Sequence, residues 1–202
     1  MKPLFRTALI VIALLFPLHA MAVTAKDASN FATQIGNDAL QVLSASASDA
    51  TKQRELEALF ARNVDTDWIA QFVLGRSWRE LNDVKKQEYL TSYRTFLIKH
   101  YTSNFKKYTQ GTDFKVTGTR ELKPGVYLVT MTIKRAGEPD VLANYRIADR
   151  NGALKVTDII VEGVSLLTTQ RSEFQSVVSR KGIDHLIAQL KKRAADAQVA
   201  KS

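Results

Sequence analysis

Apolar positions recur at helical spacing through the first part of the chain, at strand spacing through the middle and at helical spacing again toward the end. After Thr24, Phe31, Ile35, Ala39, Leu40, Val42 and Leu43 predict one helix up to Ser44, where a Ser/Ala-rich stretch interrupts it. A second, short helix carries Leu56, Leu59 and Phe60, and Trp68, Ile69, Phe72 and Val73 form a stripe that Gly75 stops. Beyond Asn82, a natural N-cap, the longest stripe sets Tyr89, Tyr93, Phe96, Leu97, Tyr101, Phe105 and Tyr108 on one broad face and ends near Gly111. This aromatic ridge must lie against an apolar surface.

The period then drops to two and predicts four strands, over residues 113–121, 125–135, 140–149 and 153–163. Pro124-Gly125, Gly137 and Asn151-Gly152 separate them with turn chemistry suited to hairpins, so the strands form an antiparallel meander. In the second strand Tyr127, Val129, Met131 and Ile133 share a face, and the third and fourth extend it with Ala143, Tyr145 and Ile147 and with Ile159 and Val161. Residues 165–197 return to helical spacing around Gly182, with Phe174, Val177 and Val178 before it and Ile183, Leu186, Ile187 and Leu190 after it. Helices, then strands, then helices define an α+β protein.

Residues 1–22 read as a secretory leader: Lys2 and Arg6, an apolar run from Thr7 to Leu18, then Ala20-Met21-Ala22 before the cleavage point. The run is too short for a bilayer core of about 30 Å. Residues 23–202 then form a single domain exported to the periplasm. Loss of Lys2 and Arg6 lowers the formal charge from +9 to +7. Export argues against nucleic acid as the partner of that charge and in favour of lipid head groups or acidic envelope proteins. The chain contains no cysteine, which rules out disulfides and thiolate chemistry.

The run Phe72-Val73-Leu74-Gly75, the corner Glu162-Gly163-Val164-Ser165 and the aromatic helix face resemble the MlaC (toluene-tolerance) family of periplasmic phospholipid-binding proteins. Ser77-Trp78 departs from the aromatic doublet that many relatives carry after this run. The resemblance implies that the N-terminal helices and the aromatic helix pack on a curved four-stranded sheet, closing a nuclear transport factor two-like cone with a cavity for acyl chains. Phe72, Val73, Tyr93, Leu97, Tyr101 and Phe105 would line it from the helices. Val129, Met131, Ala143, Tyr145, Ile147, Ile159 and Val161 would line it from the sheet, with Gly163 and Val164 at its mouth. It further implies a monomer without cofactor or metal that shuttles phospholipid between an outer-membrane lipoprotein complex and the substrate-binding subunit of an inner-membrane ABC transporter. Such a shuttle maintains the lipid asymmetry of the outer membrane.

Sharper chemistry finds little support. His100 and His185 form no ligand pair, and no metal, nucleotide or esterase motif occurs. The rival readings are a cone-fold enzyme using Asp158 and Tyr145 on a small hydrophobic substrate, and a lipid-free envelope adaptor. Positive charge gathers in the C-terminal helices, where Arg171 and Lys181 are candidates for head-group contact or partner docking.

Overall fold

The computed structural model describes residues 23–103, 112–135 and 137–199. The predicted leader, Phe105 and Tyr108 lie outside them. Five helices come first: α1 (Ala25–Ser44), α2 (Asp49–Asn63), α3 (Thr66–Leu74), α4 (Arg76–Glu80) and α5 (Asp83–Thr102). Strands β1 (Asp113–Lys123), β2 (Val126–Arg135), β3 (Glu138–Arg150), β4 (Ala153–Val161) and β5 (Val164–Ser165) follow, and then α6 (Leu166–Val199). Helices α1, α2, α3 and α5 start where side chains satisfy free backbone donors. Thr24 and Asp27 form a reciprocal capping box on α1, and Asn82 Oδ1 accepts from the Lys85 N–H at 2.8 Å on α5.

The sheet is an antiparallel meander in sequence order, with five strands rather than the predicted four. The additional strand arises at the Glu162-Gly163 corner, where both residues have positive φ (50° and 82°). Two such residues in a two-residue loop fold the chain back in a hairpin, so Val164 pairs with Val161 and Ser165 with Ile160. A second irregularity lies in β4. Ile147 pairs with Val156 but Arg146 pairs with Asp158, which leaves Thr157 as the extra residue of a β-bulge. The bulge resets the alternation, so that Val156 and Ile159 both share the face of Ile147 and Tyr145.

Two apolar cores result. In the first, Ala28 and Ala32 of α1 pack on Tyr127, Val129, Met131, Ile147 and Val156. On the opposite face of β2, Val126, Leu128, Thr130 and Thr132 remain half-buried. The second core is helical: Tyr89, Tyr93, Phe96 and Leu97 of α5 meet Val73 and Leu74 of α3 and Phe174, Leu186 and Leu190 of α6. The predicted packing of the aromatic helix on the sheet is therefore corrected. The helix on the sheet is α1, and the aromatic face of α5 is covered chiefly by α6 and α3. α6 bends at Gly182 (φ 80°, ψ 171°), which lets its two halves pack separately.

Candidate functional site

Among the described residues only Val64 packs against both cores, and an apolar cleft opens between them. Phe60 and Val64 of α2, Ile69 of α3 and Leu97 and Tyr101 of α5 form one wall. The bulged segment of β4, from Val156 to Ile159, forms the other, and Leu166, Leu167 and Gln170 of α6 close one end. The cleft encloses about 380 Å³ including its mouth, of which about 40 Å³ is wide enough to admit water. That is room for roughly three waters, whereas ligand pockets span about 300–1,000 Å³.

Polar ties hold the cleft together. Asp158, whose side chain is fully buried, accepts from the Ser165 hydroxyl at 2.7 Å and from the Leu167 backbone N–H at 3.1 Å. Its carboxylate thus sits at the first turn of α6, where it satisfies a free donor and complements the helix dipole. Tyr93 donates to Gln170 Oε1 at 2.5 Å, and the Gln170 amide donates to Tyr101 at 3.2 Å. Burial pushes the pKa of Tyr93 well up and that of Tyr101 up, so both hydroxyls stay neutral donors and acceptors. On the opposite side, Arg150 bonds Asp65 at 2.6 Å, and the Asp65 N–H donates to Val156 O at 3.0 Å, fastening the α2–α3 junction to the sheet.

Of the residues singled out in the sequence, Leu97, Tyr101 and Ile159 line this cleft. Val73 and Tyr93 are buried in the helical core behind it. Val129, Met131 and Ile147 belong to the sheet–α1 core, and Tyr145 packs against that core. Ala143 is buried, while Val161 is half-buried at the end of β4. Gly163 and Val164 are exposed in the β4–β5 hairpin. Phe72 is half-buried on α3 under the Arg171 guanidinium, 4.7 Å from its ring centre, and Lys181 is exposed beside the bend in α6. The structure does not bring together Asp158 and Tyr145, the residues of the rival enzyme reading. Tyr145 pairs with Ile159 and Arg146 with Asp158, so Asp158 and Tyr145 point to opposite faces of the sheet.

Sequence reasoning missed Phe60, Val64, Ile69, Val156, Leu166, Leu167 and Gln170 as wall residues. One signal was present: Gln170 is a polar residue on the apolar stripe of Leu167, Phe174 and Val177. Among the described residues no group of His, Cys, Asp or Glu converges to hold a metal, and no helix is long and apolar enough to cross a membrane.

The geometry defines an α+β protein with an apolar cleft between a sheet core and a helical core. The family model described as MlaC protein matches residues 33–192, and the chain belongs to that family. Its fold is similar to that of a phospholipid-binding protein from Ralstonia solanacearum, solved in complex with a phospholipid. The TM-score is 0.74 at 20% sequence identity, and the match covers 85% of this chain and 98% of that one.

Proposed function

We propose that this protein is a periplasmic phospholipid carrier that takes acyl chains into the cleft between its two cores and leaves the head group toward the mouth. Membership of the MlaC family carries this reading, and the similarity of fold to a protein solved with a phospholipid supports it. The apolar walls fit hydrocarbon, but their present spacing does not fit two tails. Loading therefore requires α5 to move away from β4, with α6 pivoting about its first turn, which Asp158 holds to β4. Because the cores are packed separately and, among the described residues, share only Val64, they can part along the cleft without either one being opened.

The energetics favour a carrier. Each buried methylene is worth roughly 0.8 kcal/mol, so release of a two-tailed lipid into water is prohibitive while transfer between two dry sites is nearly isoenergetic. Such a protein must dock transiently on a donor and an acceptor. In this reading these are an outer-membrane lipoprotein complex and the substrate-binding subunit of an inner-membrane ABC transporter, between which the monomer passes lipid to maintain outer-membrane asymmetry. Lys181, which is exposed, would help attract their acidic surfaces. Native mass spectrometry of the protein purified gently from its envelope tests the reading. A retained phospholipid is expected, and a lipid-free protein would contradict it.

A further inference from the structure

Arg171 and Gln175 stand one turn apart on the same face of α6 and converge on Gly75, the joint between α3 and α4. Gly75 has φ +59° and ψ −121°, a conformation that suits glycine, and a side chain there would collide with both. A Cβ would lie 2.8 Å from Gln175 Nε2 and 3.3 Å from Arg171 Nη2. The two nitrogens are therefore within about 6 Å of each other, a span that the oxygens of one tetrahedral anion bridge with ordinary hydrogen bonds.

Neither side chain hydrogen-bonds or ion-pairs with any described residue. The Arg171 guanidinium carbon lies 4.7 Å from the centre of the Phe72 ring, a contact that uses none of its N–H donors. The Arg171 nitrogens remain open to solvent, and a bidentate oxyanion is the partner its fork fits best. Nearby acids do not compete. Glu173 is bound by Arg193 at 2.5 Å, and Glu80 faces Arg76 at 3.7 Å. Neither Arg171 nor Phe72 lines the cleft, but each stands within one turn of a wall residue on its own helix, Gln170 and Ile69.

We propose that Arg171 and Gln175, converging over Gly75, form a binding site for a phosphate-type oxyanion at the flank of the cleft. The anion is either the phosphate of a bound lipid head group or free phosphate, and only the head-group form rests on the carrier reading. Two arms separate these sources. In the first, inorganic phosphate is titrated against the protein while the side-chain N–H signals of Arg171 and Gln175 are followed by NMR. In the second, the protein is loaded from vesicles containing dioleoylphosphatidylglycerol or from vesicles containing dioleoylglycerol, which has the same tails without phosphate. Retained lipid is counted by native mass spectrometry.

The head-group form predicts that Arg171→Met, which keeps an apolar stem on Phe72, retains the phospholipid about tenfold less well while diacylglycerol uptake is unchanged. Gln175→Leu, at an exposed position, shifts the balance in the same direction. Perturbation by phosphate alone, without a change in lipid preference, assigns the site to free anion. If neither lipid loads, the carrier reading fails and the phosphate titration still decides the site. Unperturbed signals together with an unchanged lipid preference in Arg171→Met overturn the proposal.

Discussion

The Asp158 carboxylate accepts a hydrogen bond from the Leu167 backbone N–H at 3.1 Å, so β4 and the first turn of α6 are joined at one end of the cleft. The same carboxylate takes the Ser165 hydroxyl at 2.7 Å, and Ser165 in turn accepts from the Thr168 N–H at 3.1 Å. A buried acid that could be read as catalytic is engaged in starting a helix.

Asp158→Asn should therefore act on stability rather than on cargo. Losing the charge-assisted bonds costs about 1–3 kcal/mol, which lowers the melting temperature by several degrees in a domain of this size. Lipid retention should persist. Thermal denaturation with native mass spectrometry checks both, and unaltered stability with lost lipid would contradict this role.

Two substitutions separate core from cleft. Val129 is fully buried against α1, so Val129→Arg should unfold the domain, at a cost above about 4 kcal/mol. Ile159 is half-buried on the cleft wall, where the long stem of Ile159→Arg can carry its charge to the mouth. That variant should keep its circular dichroism spectrum and lose its lipid. Equal lipid retention in Ile159→Arg and the wild type would mean that β4 is not a tail-binding wall.

α1 sits on β1 through a close approach. A Cβ on Gly36 would lie 2.3 Å from Cζ of Phe114. Gly36→Ala should lose about 1–3 kcal/mol to overpacking, outweighing the roughly 1 kcal/mol that alanine gains in a helix. In the Phe114→Leu background the same change should become favourable, a coupling that a double-mutant cycle in urea measures.

Hydrogen bonds from Lys85 and then Lys191 hold the Glu88 carboxyl down at about 2, linking the start of α5 to the second half of α6. Because the folded value lies below the ordinary 4.5, this contribution is present above about pH 4.5 and is lost as pH falls toward 2. The difference in melting temperature between wild type and Glu88→Gln should be largest near neutral pH and vanish near pH 2. A difference that stays constant across that window would contradict the linkage.

What the sequence reveals depends on whether the determinant is local. Asn151-Gly152 announces its hairpin because both residues readily take positive φ, and the structure shows 56° and 87°. Glu162-Gly163 makes the same kind of turn with a glutamate at φ 50°, a residue that does not advertise it, so the sequence shows a corner leading into the helix and not the short strand β5. The Thr157 bulge is likewise silent, and without it strict alternation would place Val156 and Ile159 on opposite faces. Periodicity shows that α5 has an apolar face but not that α6 covers it. For that reason the wall residues of α2, α3 and α6 were illegible, while Leu97, Tyr101 and Ile159 were not.

In the carrier reading, acyl chains enter between the helical core and β4. Loading the protein with a phospholipid that bears a diazirine midway along one tail, irradiating it and mapping the cross-linked peptides tests this most directly. Adducts are expected on Leu97, Tyr101, Ile159, Leu166 and Leu167. Adducts confined to the opposite sheet face, at Leu128 or Thr130, or a protein that takes up no lipid, would contradict it.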